Sequence, residues 1–208
     1  MPINATIFAD GDPCSTSLRN YLRKGRFTIL LDGAAEKARK DRWTPQLIAG
    51  DFDTVSKSTL KHFEKKGVEI LHAPDQNYTD LEKAIAWCVL HDMKSIWIAQ
   101  AIGERLDHSF AALSFLKRFH SPEREVVLFR DHEKVRFARN EKLILDGKTG
   151  RALAVLPFPK CLVKSSGLAY EMRGIGLEIG VRESVSNRSL RRRAKIEIEG
   201  EALISEGI

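Results

Sequence analysis

Thr79–Ala99, TDLEKAIAWCVLHDMKSIWIA, is the stretch on which the fold turns. Its first half sets Leu81, Ala84, Ile85, Cys88 and Val89 on one face of a 3.6-residue period, which predicts an amphipathic helix. Thr79, with Glu82 three residues later, supplies a capping-box start. The second half, Ser95–Ala99, is a short apolar run and predicts a strand. Outwards from here the alternation recurs. Further strands are expected at Ala5–Ala9, Thr28–Leu31, Leu47–Ala49, Val68–Leu71 and Val126–Phe129. A helix is expected over Ser56–Lys66, with Leu60 and Phe63 inward and Gly67 as its stop. Another begins near Asp107 and carries Phe110, Leu113 and Leu116. Alternating strands and helices imply a mostly parallel, Rossmann-like sheet with flanking helices on both faces. The class is α/β.

After about Asn140 the texture changes. Short strands are expected at Leu143–Leu145, Ala152–Leu156, Leu177–Ile179 and Lys195–Glu199, with glycine-bearing turns between them. In Lys195–Glu199 apolar and charged side chains alternate, the mark of a half-buried strand. The expected organisation is an α/β domain over residues 1–139 and a small antiparallel β-sandwich over 140–208.

The composition is that of an ordinary soluble globular protein: 208 residues, 43% hydrophobic and 30% charged. No segment approaches the ~20 consecutive apolar residues of a membrane helix, and Met1–Cys14 lacks a secretory pattern. Cys14, Cys88 and Cys161 lie far apart without a Cys-x-x-Cys pair, which argues against disulfides or a thiolate zinc site and for a reducing cytoplasm. The net charge of +6 gathers in Arg19–Arg26 and Arg188–Arg193. No aromatic residue interleaves the second run, so a solvated face, or an attractor for small phosphorylated ligands, is expected rather than a nucleic-acid groove.

In an open parallel sheet ligands bind beyond the carboxyl ends of the strands. Asp10, Asp32 and Gly50-Asp51-Phe52-Asp53 follow the first three expected strands. Asp75 and Asp80 follow the fourth, and Arg105-Leu106-Asp107-His108 the fifth. One aspartate is an ordinary turn former, but acids at strand end after strand end are not explained that way. Two carboxylates ~5 Å apart repel by about 3 kcal/mol at an effective dielectric of ~20, so a convergent set calls for a cation. Oxygen-only ligands without a Cys/His cluster indicate Mg²⁺, held together with substrate phosphates. Asp51 and Asp53 are spaced to share one side of a turn, with Phe52 facing the core, and Gly50 allows close backbone approach. The helix starting at Thr79 offers free N–H groups to an anion, and Arg105 a fork of donors to a phosphate. His108 reads as a first-turn residue packed against the sheet. Asp32-Gly33-Ala34 is a tight strand-to-helix turn. Neither a Walker-type loop nor a dinucleotide fingerprint is present. The site reads as phosphoryl transfer on a metal-bound nucleotide.

Five motifs in order resemble the thiamine pyrophosphokinase family. They are Gly50-Asp51-Phe52-Asp53-Thr54, Asp75-Gln76-Asn77-Tyr78-Thr79-Asp80, Gly103-Glu104-Arg105-Leu106-Asp107-His108, Gly167-Leu168, and Ser184-Val185-Ser186-Asn187. The resemblance runs from about Leu31 to the C-terminus. It implies transfer of pyrophosphate from ATP to the hydroxyl of thiamine, with AMP leaving. It also implies a homodimer, with thiamine between the first domain of one subunit and the sandwich of the other. The roles it implies are Asp51, Asp53 and Asp80 on Mg²⁺ and the polyphosphate, Asp107 on the attacking hydroxyl, and Arg105 on the transferred group. ATP is expected at Asp32, Gly33, Gly50, Asp75, Thr79 and Arg105, and thiamine at Tyr170, Ser184, Ser186 and Asn187. The chain departs from the family pattern at Asn77, where Asp is usual, at Ala101-Ile102, where two glycines are usual, and at Tyr170, where Trp is usual. These departures leave room for a pyrophosphokinase of another alcohol, or for a sensor of thiamine diphosphate or nucleotide without turnover.

Overall fold

A computed structural model of the chain describes residues 4–147 and 149–208. Residues 1–3, at the head of the stretch read for a secretory signal, lie outside it. The described chain forms two compact units, one ending at Asp131 and one spanning His132–Ile208.

The first unit alternates strand and helix: β1 (Asn4–Phe8), α1 (Thr16–Arg23), β2 (Phe27–Leu31), α2 (Ala34–Lys40), β3 (Leu47–Gly50), α3 (Lys57–Glu64), β4 (Glu69–His72), α4 (Asp80–Leu90), β5 (Ser95–Ala99), α5 (Leu106–Arg118) and β6 (Glu125–Arg130). The strands lie in the order β6-β5-β1-β2-β3-β4, and every pairing among them is parallel. The chain therefore builds outward from β1 to β4, then returns to the other side of β1 with β5 and β6. That reversal, between β1 and β5, is where an open sheet parts its carboxyl-edge loops. Both sheet faces are covered. Phe8, Leu30 and Ile48 pack with Leu18, Leu22, Ala34, Ala35, Ala38 and Phe63 in one buried cluster, while α4 lies against β1, β2 and β3.

The helices begin where the sequence supplies caps. Ser15, Ser56 and Thr79 each accept a first-turn backbone N–H, for α1, α3 and α4 respectively. Only half of the expected capping box forms, because Glu82 instead pairs with Arg118 on α5 at 2.7 Å. On α5 the buried face is Ala112, Phe115 and Leu116, and Phe110 is 56% exposed rather than inward. Three of the four cations in the basic stretch Arg19–Arg26 are engaged within the first unit. Arg19 pairs with Asp41, and Arg23 stacks over Trp43. Arg26 lies over Trp97 and donates to the Ala5 and Ser95 carbonyls.

The second unit holds β7 (Glu133–Arg139), β8 (Lys142–Asp146), β9 (Ala152–Ser166), β10 (Arg173–Glu178), β11 (Ser184–Arg188) and β12 (Arg193–Gly207). All of its pairings are antiparallel. Strands β9 and β12 are each 15 residues long and pair along their length through a register shift between Gly200 and Ala202. The first half of β12 also pairs with β8, and the second half with β7. Side chains from both halves, Ile196 and Ile198 with Ala202 and Ile204, share one buried cluster with Val155, Val163 and Leu177. Two long bent strands thus supply both layers of a sandwich. The boundary lies at 131/132 rather than 139/140, because β7 pairs with β12 and so belongs to the sandwich.

Candidate active site

The carboxyl edge of the parallel sheet opens into a cleft of about 1040 Å³. Of the residues singled out in the sequence, Asp32, Gly33, Asp51, Asp53, Thr79, Asp80 and Arg105 line it, as do Asp10 and His108. The β1–α1 loop meets the β5–α5 loop through Gly11 N–H to the Gln100 carbonyl (2.7 Å) and Asp12 N–H to the Ile102 carbonyl (2.8 Å). A Cβ on Gly11 would sit 2.5 Å from each of those two oxygens, so this approach requires glycine.

Asp32 leaves the end of β2 and is buried. Its two carboxylate oxygens accept the backbone N–H groups of Thr54 and Val55, each at 2.9 Å. It thereby fastens the β3–α3 loop that carries Asp51 and Asp53. Within that loop Phe52 adopts φ 63°, and its ring stacks on His72 and packs against the core. Asp80 is the first residue of α4, placed by the Thr79 cap. Asp32, Asp51 and Asp80 each offer an oxygen within 4.8 Å of the others. The trio expected from sequence was Asp51, Asp53 and Asp80. Asp53 lies outside this group, its carboxylate accepting the Thr54 hydroxyl at 2.8 Å, although it lines the same cleft.

Burial is the main cause raising the carboxyls of Asp32 and Asp80 above their ordinary range. Asp53 is held below its range, chiefly by the Thr54 hydroxyl. Three carboxylates this close, at about 3 kcal/mol of repulsion per pair for an effective dielectric of ~20, need positive charge. Lys83 supplies some of it, its Nζ lying 3.0 Å from Asp80 Oδ1. The rest suits a hard divalent cation, because the converging donors are all carboxylate oxygens.

Gly50, at the end of β3, does not border the cleft directly; it lets Asp32 and Asp80 close over it. A Cβ there would fall 3.1 Å from both Asp80 Oδ2 and Asp32 Cβ. Gly50→Ala is expected to lower turnover about tenfold or more while moving the melting midpoint only a few degrees. Paired activity and melting measurements check this, and unchanged turnover would remove Gly50 from the site.

Asp75 stands outside the cleft lining and instead accepts the backbone and side-chain N–H groups of Asn77 at 2.9 and 2.8 Å. An aspartate at 77 could not donate to Asp75 from its side chain, so the departure from the family pattern is locally satisfied. Asp107 is exposed and locked to Arg105, which donates to both of its oxygens at 3.2 and 2.6 Å. That pairing holds the Asp107 carboxyl down to about 2. His108 is exposed at the cleft rather than packed on the sheet. Sequence reasoning missed Lys83 and also Lys37, which reaches Asp10 at 2.9 Å. The spacing of Lys83 three residues after Asp80 was the available signal.

The residues expected at thiamine belong to the second unit. Tyr170 is 72% exposed. Asn187 is buried, accepting the Tyr170 N–H and donating to the Tyr170 carbonyl at 3.1 and 2.8 Å. It fixes the loop that presents the ring. Ser186, at φ 58°, falls where β11 shifts register against β9, between the half-buried Ser184 and Asn187.

Fold and cleft together define an open α/β protein with converging carboxylates, a helix N-terminus and an arginine at one sheet edge, the equipment of enzymes acting on metal-complexed phosphates. The profile described as "Thiamin pyrophosphokinase, catalytic domain" matches residues 18–128. The chain is 30% identical over 198 residues to thiamin pyrophosphokinase 1 of Caenorhabditis elegans, covering 87% of this chain and 79% of that one. It therefore belongs to the thiamin pyrophosphokinase family. Thiamine pyrophosphokinase 1 of Arabidopsis thaliana is 27% identical over 178 residues, covering 79% of this chain and 65% of its own. The fold matches that of thiamin pyrophosphokinase from Candida albicans with a TM-score of 0.86 at 19% identity, covering 99% of this chain and 89% of that one.

Proposed function

We propose that this chain is a thiamine pyrophosphokinase that uses ATP, with Mg²⁺ held by Asp32, Asp51 and Asp80. The observation carrying the site assignment is the convergence of those three carboxylates in the cleft beneath the capped start of α4. In the reaction the thiamine hydroxyl oxygen bonds to the β-phosphorus of ATP, the bond from that phosphorus to the α–β bridging oxygen breaks with its electron pair going to the departing AMP, and the hydroxyl proton is released to solvent. A bound Mg²⁺ would neutralise polyphosphate charge and polarise the transferred group.

The other roles belong to the chain itself. The N–H groups at the Thr79 end of α4 and the Arg105 guanidinium face anionic oxygens. Asp53 stays ionised and holds the loop with Thr54. Asp107, kept charged by Arg105, accepts a hydrogen bond from the hydroxyl and orients it; so low a carboxyl is a poor proton acceptor near neutral pH. Tyr170 offers a ring to stack on thiamine, Asn187 anchors its loop, and Ser184 and Ser186 offer hydroxyls from β11. The family likeness supports a homodimer as the working form. Three free cysteines fit a cytoplasmic setting, and among the described residues no helix is long and apolar enough to cross a membrane.

The test is AMP release from Mg·ATP with and without thiamine. Thiamine-dependent AMP in step with thiamine diphosphate is the expected result. Tight binding of thiamine diphosphate with no AMP formed would overturn it.

A further inference from the structure

Lys83 breaks a local rule. It lies in the first turns of α4, where the helix dipole disfavours a cation, and its side chain is only 13% exposed. Its Nζ donates to the Ala73 carbonyl at 2.7 Å and to Asp80 Oδ1 at 3.0 Å, on the wall of the cleft. A tether to Ala73 alone would be met by any neutral donor. What a neutral donor lacks is the charge, and that charge is set against one member of the Asp32–Asp51–Asp80 group.

We infer that Lys83 is a fixed counter-charge that keeps the divalent-cation affinity of the nucleotide-free cleft low, so that the metal enters with the polyphosphate rather than before it. This rests on the proposed metal role of the three aspartates. With Lys83 the group carries a net charge near −2, which one divalent cation cancels; without it the same oxygens carry −3 and hold that cation harder. A metal–nucleotide complex can then bring its own cation into the open cleft, instead of finding one already locked into the wall. Lys83 acts here through Asp80, as a positioning and charge-setting residue rather than a catalytic one.

The experiment is Mn²⁺ titration of the nucleotide-free protein, followed by the paramagnetic resonance signal of free Mn²⁺, with folding checked by circular dichroism. Lys83→Gln, which keeps a donor for Ala73 and removes the charge, should bind Mn²⁺ about tenfold or more tightly than the unaltered protein. Lys83→Arg should stay within about threefold of it. Lys83→Met, similar in volume, serves as the second charge-removing variant should the glutamine variant misfold. Equal or weaker Mn²⁺ binding without the charge overturns the inference, because a merely structural lysine gives that outcome. Failure of the unaltered protein and both neutral variants to bind Mn²⁺, with no rise in melting midpoint on adding Mg·ATP beyond that given by ATP alone, would instead overturn the metal reading beneath it.

Discussion

Replacing Asp80 with asparagine is expected to cut turnover at least about a hundredfold while leaving the protein folded, with an unchanged or higher melting midpoint in metal-free buffer. The two effects have separate causes. Asp80 faces Asp32 and Asp51 within 4.8 Å, and beyond that group its carboxylate accepts from Lys83. Asparagine preserves the oxygen that meets Lys83. It removes the charge that a divalent cation would meet, and the electrostatic stabilisation lost is of the size that single preorganised groups supply in other enzymes, about a hundred- to a thousandfold. For stability the sign is opposite. Burial raises the Asp80 carboxyl in the folded protein, so its contribution to stability is complete below the unfolded value and lost as pH rises through the folded one. At neutral pH the carboxylate opposes folding, and a neutral amide relieves it. Added Mg²⁺ should then raise the melting midpoint of the unaltered protein more than that of Asp80→Asn. Near-normal AMP formation by the variant would remove Asp80 from the site.

Much of this architecture was legible because it is local. Helix α4 could be read from Leu81, Ala84, Ile85 and Cys88, all of which are buried, and its start from Thr79, which caps it. Helix α1 was harder. Over Thr16–Arg23 only Leu18 and Leu22 are buried, and the residues around them are polar or basic, so the stretch read as a charge cluster. Strand β7 shows its alternation only in Val135 and Phe137, set among charges. The expected strands stop at Leu156 and Glu199, whereas β9 runs on through Pro157 and Pro159 and β12 through Gly200, where its register against β9 shifts. The site divides in the same way. Acids at strand ends announce themselves through the topology of a parallel sheet. The exchange of Asp53 for Asp32 in the converging group depends on hydrogen bonds spanning 22 and 23 residues, and no spacing rule carries those.

Asp32→Asn makes the same chemical change as Asp80→Asn and is expected to do the opposite to stability, lowering it by about 1–3 kcal/mol while also abolishing most turnover. Charge is not the reason. Burial raises the Asp32 carboxyl above its ordinary range, and the N–H groups of Thr54 and Val55 draw it back only in part, so a neutral group is no worse electrostatically. The difference lies in counting acceptors. A carboxyl, ionised or protonated, presents two oxygens that can each accept an N–H, and both are used at 2.9 Å. An amide presents one oxygen and one NH₂, so a donor would face either the Thr54 or the Val55 donor in a buried setting. Releasing that N–H frees the loop that holds Asp51 and Asp53, and with it the spacing of the whole acidic group. Asp32→Ala removes both acceptors and should be worse than Asn on both counts. Urea unfolding with a probe in the first unit, run beside AMP formation, separates the cases. A midpoint for Asp32→Asn equal to that of the unaltered protein would mean that the loop is held by something other than this carboxylate, and the scaffolding role would fall while a metal role could stand.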